Sequence, residues 1–401
     1  MKKKNLDQKQ HLNYFWLFLL CFFTLIFCSR KSDLQKGIEA IKKGDYAKAV
    51  RTLEKSLEAD SMNPDVHYNL SFAYANLDSV RSSFLHYLKL VEMESPLKND
   101  VKLKELLANF LNLDPYPARL IPMKGMNQFK GSLAPQGDII AVAAAKRDIA
   151  NIYLVTLKGK IKEKITSRGM NTDPDFSPTG DYIVYVSNID GDDELYLYEL
   201  KTKKVKKITD NTAKDFSPSF SPDGEEIVFV SNMDEPYKWE IYKINVSSGR
   251  IKRLTRNNYW DGFPKFSSDG KFIVFSSKRD GSEDIYRMKK NGGGEKILYK
   301  STGDDSDPTL IDDNLFFKSD QNGNLEIFRY NLKTKKLTRI TNNRVPDWNP
   351  RIAKDGSKML VTKKVKKRWR LYLIDFKNGI ASELLAERIK AKLKINTTEK
   401  K

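Results

Sequence analysis

Pro218-Ser219-Phe220-Ser221-Pro222-Asp223-Gly224 is followed by Ile227-Val228-Phe229-Val230-Ser231-Asn232, by Trp239-Glu240-Ile241-Tyr242 and by Arg253-Leu254-Thr255. Related segments begin at Pro174, Pro264, Pro308 and Pro350, and a degraded copy runs through Ala134-Pro135-Gln136-Gly137. The turn positions Gly137, Gly180, Gly224, Gly270, Asn314 and Gly356 lie 43, 44, 46, 44 and 42 residues apart. Four short strands in a period of 40–50 residues mark a β-propeller blade, and six copies predict a closed six-bladed ring over residues 123–386.

Within each copy, strand runs alternate with turn chemistry. Tyr182-Ile183-Val184-Tyr185-Val186, Ile227-Val228-Phe229-Val230 and Phe272-Ile273-Val274-Phe275 are β-branched and aromatic runs of buried-strand length. Each follows a turn, at Thr179-Gly180, Asp223-Gly224 and Asp269-Gly270. The outer strands are polar, as in Lys204-Val205-Lys206-Lys207-Ile208-Thr209. The outer strand of the last blade has two candidates, Ala381 to Leu385 or the segment Leu120-Ile121-Pro122-Met123.

Ahead of the ring, residues 32–97 read as helical. Gly37, Gly44-Asp45-Tyr46, Ala49, Leu53 and Ser56 are followed one period of 34 later by Ser71, Asp78, Ser83, Tyr87 and Leu90, with Pro96 beyond. Small residues let paired helices approach, and large ones fill the gap between them. The pattern resembles two tetratricopeptide repeats. Residues 98–122 add an amphipathic capping helix from Val101 to Leu113 and the breaker Asp114-Pro115-Tyr116-Pro117. Two repeats are fewer than such arrays usually need. The expected architecture is therefore α+β and multidomain: a short helical array, then an all-β six-bladed propeller.

The N-terminus reads as an export signal over residues 1–27. Lys2, Lys3, Lys4 and Lys9 precede an apolar run from Phe15 to Phe27, too short to span a bilayer comfortably. Leu25-Ile26-Phe27-Cys28-Ser29 resembles a bacterial lipobox, which implies lipidation of Cys28, with residues 28–31 as the anchor and linker; Phe27 departs from the small residue normally found there. A signal anchor and an incidental cysteine are the alternatives. Ser29 resembles the residue that sorts such proteins to the outer membrane.

Charge and residue counts exclude several chemistries. The chain of 401 residues has a formal net charge of +19. No basic stretch is interleaved with aromatics, so nucleic acid is not an expected partner. A Lys-rich solvated surface accounts for the charge as simply as an acidic partner does. The cysteines are Cys21 and Cys28, and the histidines His11, His67 and His86, so the ring contains neither residue type. It holds no Ser-His-Asp triad and no His- or Cys-ligated metal. No cofactor or metal is expected; Asp190-Gly191-Asp192-Asp193 and Asp304-Asp305 lack calcium-loop spacing and read as turns.

A carboxylate or its amide recurs three residues before each blade's first proline: Asn171, Asp215, Asp261, Asp305 and Asp347. Asp173 and Asp307 add charge beside two of the prolines. Converging at a channel mouth, these seven would bind a cationic peptide or a cation. Alternatively each caps its own turn by bonding backbone amides two residues on. Trp260, Trp348 and Trp369 read either as exposed contacts or as blade packing. Lys363-Lys364, Lys366-Lys367-Arg368 and Arg370 form a basic cluster, and residues 387–401 a basic tail.

The repeat motifs resemble those of the TolB-type propeller family, and more distantly the propellers of prolyl-oligopeptidase-like enzymes. The first resemblance implies a non-catalytic, periplasm-facing scaffold that binds envelope proteins, peptidoglycan-associated ones among the candidates; it does not extend to the helices or to the lipobox-like segment, which adds a lipid to hold the chain to a membrane. The alternative is a propeller enzyme acting through carboxylates on a small or polymeric substrate. No Gly-x-Ser-x-Gly elbow occurs to support hydrolase chemistry.

Overall fold

Asp223-Gly224 reverses the chain because Gly224 takes φ +77°, the left-handed region that costs glycine nothing. Ser221 closes the turn: its carbonyl accepts from the Gly224 N–H, and its hydroxyl accepts from the Glu226 N–H at 3.0 Å. The left-handed glycine and its bond to the carbonyl three residues back recur at Gly137, Gly180, Gly270 and Gly356, with alanine in place of the serine at the first and last. In the fifth copy the left-handed residue is Asp312 (φ +50°), and Asn314 begins the second strand. The turn thus falls two residues earlier than the repeat spacing suggested, because Ile311 pairs directly with Asn314.

The computed structural model describes residues 32–394. It divides into two units, Asn112–Ile380 and the helices on either side of it in sequence. The signal segment, Cys28 and residues 395–401 lie outside the described residues.

Asn112–Ile380 is a ring of six antiparallel four-stranded sheets. In blades 1 to 5 the strands follow chain order from the innermost outward. The inner strands are Asn127–Leu133, Asn171–Phe176, Asp215–Phe220, Asp261–Phe266, Asp305–Ile311 and Asp347–Ile352. Each blade packs its face on the next. Val184, Val186, Leu195 and Leu197 of blade 2, for example, bury against Phe220, Ile227, Phe229 and Tyr242 of blade 3.

Blade 6 is completed from upstream of the ring. Ala118–Leu120 pairs antiparallel with Arg368–Asp375, and the Ile121 N–H donates to the Leu371 carbonyl at 2.9 Å. Ile121, Met123 and Met126 then join a core in which Leu360, Leu371 and Leu373 of blade 6 meet Ile140, Val142 and Val155 of blade 1. Of the two candidates for this strand, the upstream segment closes the ring.

Residues 381–385 do not form a strand. Ser382–Leu393 is a helix whose Leu385, Ala386 and Ile389 are buried. The first part of the expected basic tail, residues 387–394, therefore belongs to folded structure; spacing of i, i+1 and i+4 at Leu385, Ala386 and Ile389 gives the helix an apolar stripe. In chain order the helical unit contains α1 (Asp33–Lys42), α2 (Tyr46–Ala59), α3 (Pro64–Asn76), α4 (Val80–Glu92), α5 (Val101–Phe110) and α6 (Ser382–Leu393). The small residues sit where helices touch. Ser71 and Ser83 exchange hydroxyl-to-carbonyl hydrogen bonds at 2.8 and 2.7 Å between α3 and α4. The added helix α6 packs on α4 and α5, its Ser382 hydroxyl bonding the Lys98 carbonyl at 3.0 Å. A C-terminal helix thus supplies cover that two repeats alone lack.

Candidate functional site: the propeller channel

Proline decides where the channel gets its side chains. It has no N–H and cannot complete the ladder of an inner strand, so a bulge forms at each x-Pro step. Register shifts fall between Thr172 and Asp175, Phe216 and Ser219, Gly262 and Lys265, Ser306 and Thr309, and Trp348 and Arg351. The residue before each proline is left-handed: Asp173, Ser217, Phe263, Asp307 and Asn349 have φ of 50–52°. The bulge re-aims this residue and the one after proline.

The seven residues singled out from the sequence separate into two groups. Asn171, Asp215, Asp261, Asp305 and Asp347 are sealed at the blade junctions with at most 1% exposure. Asn211 donates its side-chain N–H to Asp215 Oδ2 at 3.0 Å and its backbone N–H to Glu194 of the preceding blade. Asn257 clamps Asp261 (2.7 Å) and Glu240 (2.8 Å) in the same way. Asn343 clamps Asp347 and Glu326, both at 2.9 Å. At the next-to-last junction Ser301 holds Asp305 at 3.0 Å. In the first junction, Asn171 donates to the carbonyls of Ala150, Arg168 and Gly169. The four aspartates thus meet a residue four positions upstream, and Asn171 meets backbone carbonyls, instead of the amides two residues on.

These junctions set carboxylates beside carboxylates. Burial pushes Asp305 up to about 6. It also raises Asp347 to about 6, against the pull of Lys363 at 3.0 Å. Glu194 and Asp261 are raised by burial too. They are structural groups closed to solvent.

Asp173 and Asp307 belong instead to the channel. Asp173 pairs with Lys130 of blade 1 at 2.8 Å and accepts the Ser217 N–H of blade 3 at 3.2 Å. Asp307 Oδ1 receives Lys265 Nζ of blade 4 at 2.9 Å and Arg351 Nη1 of blade 6 at 2.8 Å. Burial opposes its charge, but Arg351 and Lys265 outweigh that cost and hold its carboxyl well below the usual range. Lys265 is lowered to about 8, by burial first and by Arg351 second.

A cavity of about 180 Å³ opens where the inner strands end, and all six blades line it. Its charged groups are Asp175, Lys265, Asp307, Arg351 and Lys354. Sequence reasoning missed Asp175, Lys265 and Arg351. They occupy the position after proline in Asp173-Pro174-Asp175, Phe263-Pro264-Lys265 and Asn349-Pro350-Arg351, a recurrence that varies too much in residue type to read as a motif.

The other edge of the ring, where the inner strands begin, is aromatic. Trp260 meets Phe263 edge-on at 5.6 Å, and Trp348 meets Trp369 at 6.1 Å. Lys318 Nζ lies 5.1 Å from the Phe263 ring centre and 5.0 Å from that of Trp348. The tryptophans are half-buried and serve packing. Loops on this edge expose Ile149, Met170, Ile189, Tyr237 and Tyr259 in blades 1 to 3, with Tyr237 94% exposed. Among the described residues no three His, Cys, Asp or Glu side chains are grouped to hold a metal.

A closed ring of six repeats and a helical-repeat unit make this a two-module repeat protein. The chain belongs to the TolB β-propeller family: the model of the TolB beta propeller domain matches residues 129–278 and 257–391. A tetratricopeptide-repeat model matches residues 39–78. The Tol-Pal system protein TolB of Francisella tularensis subsp. mediasiatica (strain FSC147) is 34% identical over 178 residues, 43% of this chain and 40% of that protein. TolB from the SCHU S4 strain of subsp. tularensis matches with the same figures. The chain thus spans about two-fifths of the length of these curated relatives. Among solved structures, TolB from Acinetobacter baumannii superposes with a TM-score of 0.50 at 23% identity, covering 64% of this chain and 65% of that one. A gluconolactonase from Xanthomonas campestris gives a TM-score of 0.50 at 10% identity, covering 65% and 91%. At these identities the shared property is the fold, and it serves binding proteins and enzymes alike.

Proposed function

We propose that this chain is a non-catalytic docking protein of the bacterial envelope, with the propeller and the helical repeats each engaging protein partners. One observation carries the reading: the channel carboxylate is tied up in ion pairs, and the carboxyls pushed up to about 6 are sealed at the blade junctions. Asp307 is held ionised by two cations, whereas Asp305 and Asp347, the carboxyls pushed up to about 6, are fully buried. General acid catalysis needs an accessible group with a proton to give. Exposed Ile149, Ile189, Tyr237 and Tyr259 on one edge suit protein contact. The curated relatives carry the name of the Tol-Pal system, which favours envelope proteins, peptidoglycan-associated ones included, as the partner class.

The lipobox-like Leu25-Ile26-Phe27-Cys28 supports a periplasm-facing lipoprotein, and Ser29 favours the outer membrane over the inner. The test is cross-linking in whole envelopes with full-length tagged protein beside a Cys28→Ala chain, followed by mass spectrometry of partners and of the mature N-terminus. Acylated Cys28 with stoichiometric envelope proteins is the expected result. Turnover of a glycan or ester substrate that is lost on changing a channel carboxylate would reverse the reading.

A further inference from the structure

We propose that the cavity at the inner-strand ends receives a carboxylate presented by a protein partner, an acidic side chain or a free C-terminus, and that Arg351 and Lys354 hold it. The inference rests on the protein-docking reading and names the chemistry of that docking.

Size comes first. A cavity of about 180 Å³ suits one side chain or a chain end.

Charge comes second. The walls carry Asp175 and Asp307 against Lys265, Arg351 and Lys354, an excess of one positive charge. Both acids are engaged. Asp175 accepts from the Ser132 hydroxyl at 3.1 Å and the Phe220 N–H at 3.0 Å, and Asp307 carries two cations. Lys265 is engaged as well, donating to Asp307, to Thr309 Oγ1 at 2.9 Å and towards the Pro350 carbonyl.

The remaining donors decide the ligand. Arg351 directs Nη1 to Asp307 and the Pro350 carbonyl, while its Nε and Nη2 donate to none of the described residues. Lys354 forms no ion pair with a described residue; burial lowers its pKa, and only the charge of Asp175 acts against that. A guanidinium edge with two parallel N–H groups matches the two oxygens of a carboxylate, and a nearby ammonium completes the pair. A cation would meet the net positive wall. A phosphate dianion would exceed the available charge and face Asp175 and Asp307.

The test is selection of a random-peptide display library, with free C-termini, on the immobilised full chain. Winners are then synthesised and titrated against the parent, Lys354→Met and Arg351→Met/Lys354→Met proteins. Lys354 takes no part in the Asp307 ion pairs, so its variant remains informative if the double variant unfolds. The expected result is a family of winners sharing one required carboxylate, with affinity reduced about tenfold or more by either variant. Replacing the acidic residue by its amide, or amidating the C-terminus, should remove binding and will identify which source supplies the group. Winners that need no carboxylate, or that bind all three proteins equally, overturn the cavity assignment and leave protein docking standing. A library that yields no binder on the parent protein overturns both.

Discussion

Asp307, on the inner strand of blade 5, accepts the Arg351 guanidinium of blade 6 at 2.8 Å on the same oxygen that takes Lys265 of blade 4. One carboxylate thus ties three blades together across the channel. Removing one partner of a buried ion pair leaves uncompensated charge, at a cost of about 3–5 kcal/mol. Asp307→Asn should destabilise the propeller by roughly that amount in urea unfolding followed by tryptophan emission. A loss below about 1 kcal/mol would mean that the pairs are solvated and add little.

The two units should respond to acid with opposite signs. Asp305 and Asp347 are raised from 3.8 to about 6 in the folded propeller. Their contribution is fully present below the unfolded value and is lost as pH rises through 6. Asp307 is depressed, so its contribution is present above 3.8 and lost on acidification below it. The propeller should therefore be most stable near pH 4–5. In the helical unit, burial, and then His67, lowers His86 from 6.5 to about 4, with the two Nδ1 atoms 2.8 Å apart. That contribution is present above 6.5 and lost as pH falls through 4. All four tryptophans among the described residues lie in the propeller, so emission reports the ring while far-ultraviolet circular dichroism weights the helices. Parallel melting curves that shift in the same direction from pH 7 to pH 5 would refute the assignment.

The turn of blade 6 is strained where it need not be. Lys366 and Lys367 have φ of 47° and 66°, bridging Val365 and Arg368, which pair directly. Two left-handed residues in a two-residue hairpin loop favour Asn-Gly, because a Cβ costs roughly 1–2 kcal/mol in that conformation. Lys366→Asn/Lys367→Gly should stabilise the propeller by about 1 kcal/mol, visible as a higher melting temperature. A lower melting temperature would show that the lysines make contacts worth more than the strain.

Local chemistry carried most of the architecture, and non-local pairing carried what the sequence concealed. Asp223-Gly224 and its copies announce five of the six turns because a left-handed position selects glycine. Ala118–Leu120 is three residues long and pairs with Arg368–Asp375, some 250 residues later, so the sequence offers its neighbourhood only as one of two candidates for the closing strand. Likewise Ser382–Leu393 is too short and too basic to declare a buried stripe before its helical neighbours are known. Recurrence at Asp215, Asp261, Asp305 and Asp347 was legible, but its purpose was not. Those residues meet Asn211, Asn257, Ser301 and Asn343, and the role of the three asparagines depends on a carboxylate from the preceding blade. The cavity residues Lys265 and Arg351 follow the prolines, where the period fixes the place and leaves the side chain free to vary.

Ring closure rests on Ile121, which makes the last seam both apolar and hydrogen-bonded. Its side chain is fully buried between blades 6 and 1, and its N–H donates to Leu371. Ile121→Ala removes only the side chain and should cost about 2–5 kcal/mol, like other large-to-small core changes. Ile121→Pro also removes the donor, and should cost more, by about the 1–3 kcal/mol of an unsatisfied buried carbonyl. Hydrogen exchange locates the effect: protection should fall first in Arg368–Asp375 and in the Ile139–Ala145 strand of blade 1. Uniform loss of protection around all six blades would instead mean that the ring opens as one unit, with no weaker seam where its ends meet.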